Sequence, residues 1–124
     1  PPIWVYNQDG LASSALGGVM AWIYLLIAGI LEIMWAYAMK QSHGFSRLIP
    51  SIITICAMVT SFWLLAVAMR TIPLGTAYTV WTGIGAVGAF IVGITFLGEP
   101  IHVMRITAMS LIISGLVLMK LSSP

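Results

Sequence analysis

Residues 20–39 read MAWIYLLIAGILEIMWAYAM, an apolar run whose only charged residue is Glu32. A helix of about 20 such residues spans the hydrocarbon core of a bilayer, which is about 30 Å thick. Charges and turn residues divide the rest of the chain into further runs of the same kind. The sequence therefore predicts four transmembrane helices, over residues 20–39, 48–69, 76–97 and 101–118.

The composition leads to the same class of protein. Of the 124 residues, 60% are hydrophobic and 6% are charged, whereas a soluble domain is about 25% charged. The apolar runs are continuous, which is not the alternating pattern of a membrane β-barrel. Lipid offers no hydrogen-bond partners to free backbone N–H and C=O groups. Helices are therefore favoured, because they satisfy these groups internally. We therefore expect an all-α, multi-pass protein of the cell (inner or plasma) membrane, with one four-helix domain over residues 20–122.

The first 19 residues differ from the rest of the chain. They open with Pro1-Pro2 and contain a polar stretch, Asn7-Gln-Asp-Gly10. They lack the basic start of a secretory signal, and Met20 begins the first apolar run. We expect residues 1–19 to be a leader or a cloning-derived segment without a functional role.

The charged and sulfur-containing residues exclude several functions. The five cations are scattered, whereas a nucleic-acid surface needs a clustered basic patch. The single Cys56 cannot form an internal disulfide, and no Cys/His spacing suggests a metal site. The sequence also has no nucleophile–base pair or cofactor loop. We expect no nucleic-acid partner, no metal and no cofactor, and a transporter is favoured over an enzyme.

The loop charges are nearly balanced between the two membrane faces. One face carries Lys40, Arg47 and Arg105, and the opposite face carries Arg70 and Lys120. The excess of Lys and Arg on one side normally sets orientation. Such a small bias leaves two interpretations open. Either the chain has one orientation that this rule does not resolve, or it inserts both ways and pairs with an inverted copy.

Glu32 is the candidate functional residue. A charge in the middle of a membrane helix costs several kcal/mol, so an acid at that depth indicates a functional site. No Lys or Arg lies in the membrane interior of the chain to pair with it. Desolvation disfavours the ionised form, so this carboxyl group can hold a proton and exchange it for a cation. The alternative is a permanently protonated Glu that is hydrogen-bonded between helices.

Small, polar and aromatic residues gather around Glu32 in the predicted helices. Two share its helical face, two lie three residues apart on the third helix, and a serine comes from the second. Their donors could hold an ionised carboxylate, and their rings suit a bound cation. Packing or an interfacial belt is the alternative for each aromatic. The candidate pocket residues are Gly29, Trp35, Ser61, Tyr78 and Trp81.

A glycine-rich stretch interrupts the third apolar run. Gly83-Ile-Gly85-Ala-Val-Gly88 matches a dinucleotide-binding pattern literally. That motif needs a strand-to-helix turn within a βαβ unit, and here it lies inside an apolar helix. We interpret Gly83, Gly85 and Gly88 as a hinge that lets the third helix bend or another backbone approach it.

These motifs together resemble the small multidrug resistance transporters. The similarity covers Met20 to about Ser122. It rests on Gly29-Ile-Leu-Glu32, on the loop Lys40…His43-Gly44-Phe45, and on PLGTAYTVWTGIG at residues 73–85. The resemblance implies an antiparallel, dual-topology homodimer that exchanges protons for small cations. An inverted pair would agree with the nearly balanced loop charges.

Within that family the chain resembles the guanidinium-exporting subtype. Trp35 follows Glu32 by three residues, where the drug-exporting branch usually has a smaller residue. By this resemblance Glu32 binds substrate or proton, the hydrogen-bonded surround is Trp35, Ser61, Tyr78 and Trp81, and Gly29 lines the pocket. Two alternatives stay open: a proton-coupled exporter of quaternary ammonium or hydrophobic cations, and a membrane interaction subunit whose Glu32 pairs with a basic partner helix.

Overall fold

The computed structural model describes the backbone of residues 8–122 and the side chains of residues 17–122. This part of the chain forms four helices, each long and apolar enough to cross a membrane. The predicted all-α fold with four transmembrane helices is therefore confirmed. In chain order the helices are α1 (Gln8–Gln41), α2 (Leu48–Ala68), α3 (Leu74–Phe96) and α4 (Val103–Ser122).

The first helix is longer than the apolar pattern predicts. It begins at Gln8, whereas the apolar run begins at Met20, and its membrane-length portion is Gly17–Gln41. Apolarity marks only the part of a helix that lies in lipid, so it gives no signal for an extension beyond the bilayer. Residues 1–7 of the predicted leader lie outside the described residues.

A tight turn joins α1 to α2 and makes them antiparallel neighbours. The buried Ser42 organises it: its hydroxyl donates to the Met39 carbonyl over 2.6 Å and accepts the Phe45 N–H over 3.0 Å. His43, Gly44 and Phe45 all have positive φ. Such a run of left-handed residues reverses the chain within a few positions.

Arg105 secures the connection from α3 to α4. One guanidinium nitrogen donates to the Pro100 carbonyl over 2.8 Å, and another lies 3.6 Å from Glu99 Oε1. The guanidinium also lies 5.0 Å from the centre of the Phe90 ring. Arg105 is therefore held at the membrane edge, where a long cationic side chain is tolerated.

The helices pack unequally. α1 lies against both α2 and α3, whereas α4 packs on α3 alone and has no buried residue. Most large apolar side chains point outward, as suits a protein whose surroundings are lipid. The central cluster of buried apolar residues comprises Ala21, Leu25, Ala28, Leu65, Ala68, Ile72, Ala77, Val80 and Trp81.

Candidate functional site

Glu32 lies where α1 packs tightly against α3. Its carboxyl group rests directly on Gly85, and a Cβ atom at that position would overlap it. One turn earlier, Gly29 packs against Ile84, with its own Cβ position 2.7 Å from Ile84 Cγ2. Two glycines, one on each helix, therefore allow the close contact that brings the carboxyl group against the α3 backbone.

Two polar atoms on this face of α1 are buried without a hydrogen-bond partner among the described residues. They are Oε2 of Glu32 and Nε1 of Trp35. Buried polar atoms in folded proteins almost always have a partner, and leaving one unpaired costs about 1–3 kcal/mol. An acceptor and a donor one turn apart thus form a site that can take a proton, a cation or a group from another chain.

A hydrogen-bonded relay links the three helices beside this site. The Trp81 indole on α3 donates to Ser61 Oγ over 3.0 Å, and the Ser61 hydroxyl on α2 donates to the Ala28 carbonyl over 2.7 Å. In helical geometry the Ala28 carbonyl is also the acceptor for the backbone N–H of Glu32. The relay therefore fixes the turn of α1 that carries the carboxyl group.

A row of aromatic rings runs along the same side of the helices. Tyr78 and Phe62 each lie 5.6 Å from the Trp81 ring, and Phe62 lies 6.3 Å from the Trp35 ring. These separations are typical of attractive edge and tilted pairs. Sequence reasoning missed Phe62, because consecutive residues of a helix point in different directions and its position next to Ser61 did not indicate this contact.

The predicted pocket residues lie in one region of the structure, but they do not all contact the carboxyl group of Glu32. Trp81 donates to Ser61, Ser61 donates to the backbone of α1, and neither bonds the carboxyl group of Glu32. Tyr78 contacts the Trp81 ring, and its side chain is 53% exposed. Their direct roles toward Glu32 and toward a bound cation stay predictions.

The predicted hinge glycines share a packing role in this structure. α3 runs through them without a break. A Cβ on Gly83 would collide with Leu116 of α4, and one on Gly88 would collide with Ile33 of α1, just as Gly85 has no room beside Glu32. Each glycine therefore admits a side chain from a neighbouring helix, and bending at this stretch stays a prediction.

Comparison with known proteins agrees with this architecture. The family described as Small Multidrug Resistance protein matches residues 20–112. A "Guanidinium exporter" of Yersinia pseudotuberculosis is 59% identical over 104 residues, covering 84% of this chain and 100% of that protein. Proteins with the same name from Escherichia coli K12 and Citrobacter freundii are 57% and 58% identical, each covering 84% of this chain and 99% of the relative.

The match covers α2 and α3 fully, α1 from Met20 onward and about half of α4, and it includes every candidate site residue. The chain belongs to the Small Multidrug Resistance family of membrane proteins.

Proposed function

We propose that this protein is a proton-coupled exporter of guanidinium and small guanidinyl cations. Glu32 alternately binds a proton and the substrate cation, so loading one releases the other. The protein acts in the cell inner membrane as a secondary active transporter, driven by the proton gradient. Its functional unit is an antiparallel homodimer of dual topology.

The unpartnered carboxyl oxygen of Glu32 carries this proposal. Among residues 17–122 it is the only acid that lies deep in a membrane-spanning helix, and its Oε2 atom has no hydrogen-bond partner there. A carboxylate in a site with low polarity binds a cation strongly when ionised and none when protonated. Competition between the two ligands for one group is sufficient to couple their movements.

The shape of guanidinium suits such a site. The ion is planar, and its N–H groups can bond a carboxylate in a bidentate manner. The indole N–H of Trp35, which has no partner among the described residues, would hold the carboxylate in place. The Trp81–Ser61–Ala28 relay would keep the carboxyl-bearing turn of α1 fixed while ligands exchange.

The relatives support the substrate class. Proteins that are 57–59% identical to this chain over 104 residues bear the name "Guanidinium exporter". Trp35 adds a bulky ring and a polar donor to the pocket, which favours a small, polar cation over a large aromatic one. This reasoning selects guanidinium over the broader drug-exporter alternative.

The unequal packing of the helices supports a dimer. α4 has no buried residue within one chain, and it packs on α3 alone. The nearly balanced loop charges allow insertion in both orientations. Two inverted chains would bring two Glu32 side chains into one cavity near the membrane midplane.

Transport currents test the proposal. Purified protein in liposomes on a solid-supported membrane is given guanidinium, tetramethylammonium or a bulky aromatic cation. We expect a large current with guanidinium and little with the other two. A response mainly to the bulky cation would assign the chain to drug export, whereas silence for all three would point to a missing second subunit.

A further inference from the structure

A groove runs down the surface between α1 and α4. Because α4 packs on α3 alone among the four helices, no backbone of residues 8–122 fills the space between α4 and α1. The resulting cleft has a volume of about 440 Å³ and is lined by apolar side chains such as Leu25, Ile84, Leu116 and Val117. Among the described residues that line it, Lys120 is the charged one.

The mouth of this groove carries a fixed cation. The Lys120 ammonium lies 4.4 Å from the centre of the Trp22 ring, which places a cation–π contact across the opening. Trp22 lies near the start of the membrane-spanning part of α1, and Lys120 lies near the end of α4. Both residues are therefore at one membrane–water interface, where Trp and Lys side chains commonly anchor a protein.

The charge of Lys120 has no acidic partner at this end of the described chain. Among residues 17–122 the acids are Glu32 and Glu99. Glu32 lies ten positions after Trp22, about 15 Å deeper along α1 at 1.5 Å per residue. Glu99 precedes α4, so it lies about 30 Å away at the opposite end of that helix. Within residues 17–122, therefore, the ammonium group of Lys120 has no acidic partner.

We infer that this groove binds an anionic phospholipid, with its phosphate on Lys120 and the first part of an acyl chain between α1 and α4. The apolar lining matches hydrocarbon, and the cation at the interface matches the depth of a lipid phosphate. The lining residues of α4 extend from Leu116 to Leu121, about 7.5 Å along the helix axis, which accommodates several methylene groups. The inference is independent of which cation the protein transports.

Fluorescence quenching by brominated lipid tests the inference directly, because Trp22 lies at the groove. In one sample the protein is reconstituted with brominated phosphatidylglycerol diluted in ordinary phosphatidylcholine. In a second sample the phosphatidylcholine carries the bromine and the phosphatidylglycerol does not. The contribution of Trp22 is the difference between the native protein and Trp22→Phe. A lysine near a membrane surface favours an anionic lipid about fivefold. We therefore expect phosphatidylglycerol to be preferred over phosphatidylcholine at this site by that ratio, as measured by the quenching of Trp22.

Replacing the cation should remove the preference. Lys120→Gln should lower the ratio to about one, whereas Lys40→Gln, which removes the lysine at the opposite membrane face, should leave it unchanged. Equal quenching of Trp22 by both lipids in the native protein would overturn the inference. So would protection of Trp22 from both lipids, which would mean that a second copy of the chain covers the groove.

Discussion

The indole of Trp81 and the hydroxyl of Ser61 form a buried hydrogen bond of 3.0 Å between α3 and α2. Ser61 in turn donates to the Ala28 carbonyl on α1 over 2.7 Å. One small side chain therefore connects three helices at the level of the candidate site. This arrangement makes the position of Glu32 depend on residues that do not touch its carboxyl group.

Ser61→Ala should destabilise the protein by about 1–3 kcal/mol, because it leaves the buried Trp81 N–H without an acceptor. Thermal unfolding in detergent measures the change. Thr60→Ala is the matched control, since the exposed Thr60 hydroxyl bonds only its own helix, at the Cys56 carbonyl. The double variant Ser61→Ala/Trp81→Phe should regain part of the lost stability, because it no longer contains the unpaired indole N–H. Equal losses in Ser61→Ala and Thr60→Ala would contradict the relay.

Gly85→Ala should impair cation binding at Glu32. The added methyl group would overlap the carboxyl group, and such overpacking costs about 1–3 kcal/mol, which corresponds to about 5- to 150-fold in affinity. Gly75→Ala, also on α3, is the control, because its Cβ would have no neighbour within 4 Å. Guanidinium-evoked currents over a concentration series report the affinity. An unchanged affinity in Gly85→Ala would show that the contact is unimportant.

Trp35→Phe should separate function from stability. The indole N–H has no partner in the part of the chain that the structure describes, so its removal should lower the unfolding temperature little. If that N–H holds the carboxylate during transport, the guanidinium current should fall about tenfold, the loss of one hydrogen bond to a charged group. Trp63→Phe, at a side chain that is 64% exposed, should change neither quantity. A normal current in Trp35→Phe would exclude this role.

Arg105 should matter more for stability than its acidic partner. Glu99→Gln removes one exposed ion pair, which contributes at most about 1 kcal/mol. Arg105→Gln removes that pair, the bond to the Pro100 carbonyl and the contact with the Phe90 ring. Unfolding midpoints at low and high salt distinguish these contributions, and only the ion-pair part should weaken with salt. A larger loss in Glu99→Gln than in Arg105→Gln would refute this view of the connection.

Much of the fold was predictable from sequence because lipid imposes one simple requirement, a long apolar helix. The predicted helix boundaries agree with the observed ones to within a few residues, apart from the start of α1. They were marked by the apolar runs that end near Met39 and Arg70 and by the break at Pro73. The contacts of the candidate site were harder to predict from the sequence. The sequence indicated Ser61 and Trp81 as polar residues near Glu32, but which atoms they bond depends on how helices distant in sequence meet. The Ser61 bond to the Ala28 backbone involves an atom that every residue possesses, so no sequence pattern could show it.

The most direct test of proton exchange at Glu32 is guanidinium-driven proton movement in liposomes that contain a pH-sensitive dye. An inward guanidinium gradient should drive protons out of liposomes that contain the native protein. Glu32→Gln should abolish this movement, and the matched control Glu99→Gln, which removes the carboxyl group at the α3–α4 connection, should retain it. Coupled proton movement that persists in Glu32→Gln would contradict the assignment of Glu32 as the shared site.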